Sequence, residues 1–119
     1  MNPQRVIIVA LCLLAGPVHA GEPWDAVDAT LGATAAAALV VDWRQTREIR
    51  APMIETNRIL GEHPSTARID GYFIGAALVG YLIADALPRP WRRAFLTGGA
   101  VIELTVVRKN RLIGLHWGF

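Results

Sequence analysis

Residues 24–43 read WDAVDATLGATAAAALVVDW. Two tryptophans bracket an apolar run whose centre, Ala33 to Ala38, is almost pure alanine. Positions 24 and 43 are 19 residues apart. At a helical rise of about 1.5 Å per residue, that separation approaches the roughly 30 Å hydrocarbon thickness of a bilayer. Indole rings favour the two membrane–water interfaces, so Trp24 and Trp43 are expected to mark the ends of one span. Thr30 and Thr34 need no partner outside the helix, because a hydroxyl in a membrane helix can return its proton to a carbonyl one turn back.

Two further apolar stretches lie beyond this one. Residues 65–87 follow His63-Pro64-Ser65, where Pro64 interrupts the preceding chain and the Ser65 hydroxyl is placed to cap a helix. Pro88 closes that stretch. Gly71 and Gly75 form one small-residue pair at helical spacing, and Ala76, Gly80 and Ala84 form another row. Such rows let neighbouring backbones approach, and close packing within the chain is the first expectation, ahead of a face for a second copy. The third stretch, about 91–107, opens at Pro90-Trp91, and Arg108-Lys109-Asn110-Arg111 is expected to stop it. It is the least apolar and contains Glu103, so it needs packing partners to remain in lipid.

Composition agrees with lipid as the solvent. The chain has 119 residues, of which 53% are hydrophobic and only 18% charged, and its mean hydropathy is +0.34. Soluble domains carry about 25% charge. The expected fold is therefore all-α, a small transmembrane bundle with three spans. The net charge of +2 does not gather on one basic face, which argues against nucleic acid as a partner; arginines lie between the apolar runs instead.

Residues 1–20 read as an export signal. Arg5 precedes the apolar run Val6 to Ala15, Gly16-Pro17 breaks it, and Val18-His19-Ala20 offers a cleavage site before Gly21. Residues 21–119 then form a single membrane-embedded domain, or a four-span protein if the signal is retained. Cys12, the single cysteine, lies in the signal, so the processed chain has no disulfide or thiolate ligand. Alternation at Ile113, Leu115, Trp117 and Phe119 suggests a rival β-barrel reading, but eight strands of about 9–11 residues would consume the whole processed chain, and the alanine run does not alternate. Residues 112–119 are expected to lie along the interface or pack under the bundle.

Five arginines between Arg44 and Arg68, together with the basic residues at 108, 109 and 111, outnumber Arg89, Arg92 and Arg93 in the 88–93 turn. The positive-inside rule then puts the processed N-terminus outside the bacterial inner membrane and the C-terminus in the cytoplasm.

Polar residues at membrane depth are the places to look for function. Glu103 is the deepest acid and should be protonated, hydrogen-bonded across the bundle, or facing a wet cavity. Asp42 stands near the inner end of the first span and Asp28 and Asp85 near the outer end; for Asp42 and Asp85 interfacial solvation is the simpler reading. In the cytoplasmic loop, residues 54–60 are expected to form a short helix closed by Gly61, which would bring Glu55, Asn57 and His63 toward Asp42, Gln45 and Thr46. That cluster has the donors and acceptors to hold a cation or headgroup, although satisfying a re-entrant backbone is its commoner use. No metal site or cofactor is expected, for there is no His-x-x-x-His or carboxylate-rich repeat. Nor is enzymatic activity: no phosphate loop, serine elbow or His-Glu-x-x-His is present, and Ser65, the single serine, is explained as a cap.

The string Asp42-Trp43-x-Gln45-Thr46, then Glu55-x-Asn57-x-x-Leu60-Gly61-x-x-Pro64-Ser65, and later Glu103 and Asn110, resembles a group of small uncharacterised multi-pass membrane proteins of bacteria and their phages. That group often has Asn-Pro after the glutamate, where this chain has Asn57-Arg58. The resemblance implies an integral membrane fold and no particular reaction. The expected role is an accessory or scaffold protein in the bilayer, contacting another membrane protein or itself; the alternative is a pore-forming protein such as a phage-type holin.

Overall fold

The computed structural model describes residues 21–49 and 53–115, and the signal segment, Cys12 and the last four residues lie outside them. Three helices account for most of what is described: α1 (Ala26–Arg47), α2 (Thr66–Ala86) and α3 (Arg89–Leu112). No strand occurs among the described residues. Both α1 and α2 are long and apolar enough to cross a membrane. The apolar part of α3 is confined between Arg93 and Arg108, with Glu103 inside it.

Each helix starts where local chemistry satisfies its free N–H groups. Asp25 caps α1 in a reciprocal box, its side chain accepting from the Asp28 N–H at 2.9 Å while Asp28 accepts from the Asp25 N–H at 3.3 Å. Ser65 caps α2 as its sequence position suggests, accepting from Arg68 N–H at 3.2 Å. Proline opens α3, where its missing N–H costs nothing. The Thr30 and Thr34 hydroxyls bond Ala26 and Thr30 carbonyls at 2.7 and 2.8 Å, within their own helix as expected.

Two boundaries differ from the sequence reading. Helix α3 does not stop at Arg108-Lys109-Asn110-Arg111 but continues through it to Leu112. Arginine and lysine are good helix formers whose heads can reach water from a continuing helix. Termination waits for Gly114, whose φ of +92° suits glycine. Residues 54–60, expected as a short helix, form only a turn at Arg58–Leu60. Asn57 is the cause: its Oδ1 accepts from Ile59 N–H at 3.0 Å and its carbonyl from Leu60 and Gly61 N–H groups, a local turn that competes with helix propagation. Gly61, at φ +83°, completes the reversal.

Leu87 and Pro88 alone separate α2 from α3, which makes these helices a tight hairpin. Helix α1 packs chiefly on α3 and less on α2, while α2 and α3 scarcely touch each other. The apolar core is small. Leu60 folds back from the loop against Ile69 and Phe73, with Leu39, Trp43 and Tyr72 around them. Elsewhere the helices keep large apolar side chains on their surface: Ile74, Leu78, Val79 and Leu82 on α2, and Val101, Ile102 and Leu104 on α3, are all more than half exposed.

Both tryptophans that bracket the first apolar run turn toward α2. The Trp24 Nε1–H donates to Asp85 at 2.9 Å, and the Trp43 Nε1–H to Asp70 at 2.8 Å. Trp24 stacks on Tyr81 and Trp43 on Phe73. Their spacing along α1 therefore also sets the register between α1 and α2. Asp85 is not simply solvated at an interface, as its position in the sequence suggested, but holds an indole.

The small residues of α2 behave differently from the sequence expectation. A Cβ built on Gly71, Gly75 or Gly80 meets nothing within 4 Å, so these glycines are not sites of close helix approach within the chain. Ala84 is, with no exposed surface.

Candidate functional site

Polar side chains gather at the two ends of the bundle. At the loop end, Asp42, Gln45 and Thr46 share one face of α1 because they are three and four residues apart. All three are buried. Facing them from α3 are Glu103 and Asn110, seven residues apart and thus on one stripe of that helix. Asn110 Nδ2 donates to Asp42 at 2.8 Å and to Gln45 Oε1 at 3.2 Å. The Gln45 Nε2 donates to the Val107 carbonyl at 3.3 Å and the Leu115 carbonyl at 3.4 Å. The Thr46 hydroxyl donates to Asp42 at 3.4 Å. Gln45 thus ties α3 at Val107 to Leu115, which is buried; of the tail expected to lie along the interface or pack under the bundle, Leu112 and Ile113 stay exposed.

Asp42 and Glu103 bring their carboxyl groups within hydrogen-bonding reach of each other, which requires a proton on one of them, and Glu55 in the loop lies near enough to act on Asp42. Among the described residues, no ion pair reaches Asp42 or Glu103; every ion pair runs to Asp70 or to the acids at the opposite end. Glu103 Oε2 is buried with no hydrogen-bond partner. A buried carboxylate oxygen left in that state is costly, so its persistence calls for an explanation.

Of the loop residues the sequence singled out, Glu55 comes near Asp42, while His63 approaches only Thr46. The Glu55 carboxylate also accepts from the Asn57 N–H at 2.8 Å. Asn57 is occupied in its own turn. His63 is exposed and borders a separate shallow depression with Thr46, Arg47 and Pro64. The missing helix in the loop explains why Asn57 and His63 stay apart from Asp42.

The hairpin end carries a second polar cluster that the sequence reading did not assemble. Asp28 and Arg92 are both fully buried and paired at 3.1 Å. Arg92 uses its whole guanidinium: Nε donates to the Ala84 carbonyl at 2.8 Å, and Nη2 to the Glu22 carbonyl at 2.7 Å and the Asp85 carbonyl at 3.3 Å. It also lies over the Trp24 ring, 5.1 Å from the centroid. Arg93 donates to Asp28 at 2.9 Å and to Asp25 at 2.6 Å. Arg89 sits within 3.6 Å of both Glu22 and Asp25. Arg92 therefore caps the free carbonyls ending α2 and ties them to the start of α1. The signal was present in the sequence: Glu22, Asp25 and Asp28 match Arg89, Arg92 and Arg93 in number, and the Asp25–Asp28 spacing is that of a capping box.

Between the two ends lies a part-open apolar cavity of about 470 Å³, walled by all three helices, with Trp24 and Tyr81 toward one end and Glu103 at the other.

No protein-family model, curated protein or solved structure is matched by this chain.

Proposed function

We propose that this chain is a small integral protein of the bacterial inner membrane that acts as an accessory or scaffold subunit. After removal of residues 1–20 it would cross the bilayer three times, with Gly21 outside and the loop and C-terminus in the cytoplasm. The observation that carries this reading is the surface of α2: Ile74, Leu78, Val79 and Leu82 stand open, beside Gly71 and Gly75 with empty space above them. A contiguous apolar face of this kind marks contact with lipid or with another protein. Glycines without a neighbour inside the chain leave room for a second helix to come close. The resemblance of residues 42–65, Glu103 and Asn110 to small multi-pass membrane proteins supports the same reading.

α3, the least apolar helix, takes its support from α1, on which it packs most extensively. The three arginines on the outer side have a structural reason to be there, since all of them hold the hairpin end together. No reaction is proposed.

The test is expression of the full chain by itself, followed by affinity purification from its own membrane. The accessory reading expects an undisturbed membrane potential and one co-purifying membrane protein at a near-fixed ratio. Depolarisation on expression, with large homo-oligomers in detergent, would replace it with the pore-forming reading.

A further inference from the structure

We propose that Asp42 and Glu103 form a proton-binding site that latches α3 to α1 at the loop end and releases it when the proton is lost. The two side chains come from different helices, and their carboxyl groups lie within hydrogen-bonding reach of each other. Two ionised carboxylates cannot hydrogen-bond, because each only accepts; one proton between them supplies the donor. The other donors are already placed. Asn110 Nδ2 and the Thr46 hydroxyl both bond Asp42 Oδ1, and among the described residues no donor reaches the buried Glu103 Oε2. A proton shared by the pair is what this arrangement leaves open, and it avoids burying two like charges side by side.

The charged groups around the pair do not take the proton's place. On α3, Arg108, Lys109 and Arg111 are exposed, and among the described residues no ion pair reaches Asp42 or Glu103. On α1 the charged residues nearest in sequence are Arg44 and Arg47, and Arg47 pairs with Asp70 of α2. From the loop, Glu55 acts on Asp42 with a further negative charge. His63 borders a depression that includes Thr46, and histidine is the side chain that ordinarily changes charge near neutral pH, so it is the control. Loss of the shared proton to water leaves two carboxylates facing each other, and like charges in one site repel. Asp42, 9% exposed, gives that proton a way to solvent. The hairpin end is held by ion pairs to Arg92 and Arg93, and α2 and α3 scarcely touch, so α3 parts from α1 at the loop end first. The site needs neither a protein partner nor a particular orientation in the bilayer.

The experiment is thermal unfolding of the full chain in one detergent from about pH 5.5 to about pH 9, beside Glu103→Gln, whose amide donates at every pH. Unfolded carboxyls release their protons near pH 4, so a proton kept in the fold contributes stability at the acid end that is lost as pH rises. Expected is a variant within about 3 °C of the native chain at the acid end and about 5 °C or more above it at the alkaline end. Asp42→Asn should reproduce this, since its amide can accept from Asn110 and donate to Glu103, and it decides if Glu103→Gln fails to fold. His63→Ala should keep the native profile. At about pH 6, where exposed carboxyls are ionised, the infrared spectrum of the native chain should show the carbonyl stretch of an un-ionised carboxylic acid, lost in both amide variants. The proposal is overturned by a native-to-variant difference that does not change with pH, by a His63→Ala chain that loses the pH dependence, or by the absence of that infrared band from the native chain.

Discussion

The two ends of this bundle use the same residue types to opposite effect. At the hairpin end, three acids meet three arginines, the carbonyls that end α2 are satisfied by Arg92, and Asp28 is buried yet fully bonded. At the loop end, two carboxyls face each other across α1 and α3 with amide and hydroxyl donors around Asp42 and, among the described residues, no ion pair; each end leaves one buried atom without a hydrogen bond, Arg89 Nε at the hairpin and Glu103 Oε2 here. The glycines divide along the helices too, although the buried apolar cluster of Leu60, Ile69 and Phe73 lies at the loop end. A Cβ on Gly21 would fall 1.9 Å from the Asp85 carbonyl oxygen, and one on Gly32 would lie 2.8 Å from the Trp24 ring. Further down the helices, Gly71, Gly75, Gly80, Gly98 and Gly99 have open space. One end is an ion-paired lock; the other is a pair of carboxyls that hydrogen-bond each other, with Glu103 also on the wall of the cavity. A buried ion pair is not in itself evidence of stability, but once built it is damaging to break.

This contrast sets the order of mutational effects. The largest belongs to Asp28→Ala, which strands the buried Arg92 and frees Arg93. The thermal midpoint in detergent should fall by about 10 °C or more, as breaking a buried pair does in a chain of this size. Glu103→Gln should move it by less than about 3 °C, and comparable losses from the two would erase the distinction between the ends. Next comes Asn110→Ala, which removes the donor shared by Asp42 and Gln45; denaturant unfolding should register a loss of about 1–2 kcal/mol, the cost of a buried acceptor losing its bond. The smallest effect separates two glycines. Gly98→Ala should stabilise α3 by about 0.5–1 kcal/mol through helix propensity. At Gly32 the same change pushes on a Trp24 ring held by Asp85, Tyr81 and Arg92, so the gain should vanish and tryptophan emission should shift. Equal stabilisation at both sites would mean that the hairpin end is no tighter than the rest.

Helix positions were largely legible in the sequence because they depend on short-range chemistry. The apolar runs, the Ser65 cap and the two prolines around residue 89 place α1, α2 and the start of α3 closely. The end of α3 lies beyond the basic cluster because charged residues do not stop a helix, whereas Gly114 supplies the backbone that does. The loop helix failed because Asn57 bonds its own turn. At the loop end, Asp42, Gln45, Thr46 and Glu103 were recognisable as polar groups out of place in apolar runs, and Asn110 appeared in the motif. What the sequence could not supply is the pairing across elements. Arg92 meets Asp28 over a separation of 64 residues, and nothing local specifies that distance. The same holds for Trp43 and Asp70. Gly71, Gly75 and Gly80 show the converse: a spacing that permits close packing does not oblige the chain to use it.

The central claim is that the exposed faces of α1, α2 and α3 meet hydrocarbon, with the two polar ends on opposite sides of a bilayer. Single cysteines at Glu22, Val79 and Arg58, in a Cys12→Ala background, can be tested in intact cells with a membrane-impermeant maleimide. The account predicts labelling at position 22 from outside, at position 58 only after permeabilisation, and none at position 79 in either case. Ready labelling at position 79, or labelling of 22 and 58 from the same side, would contradict it.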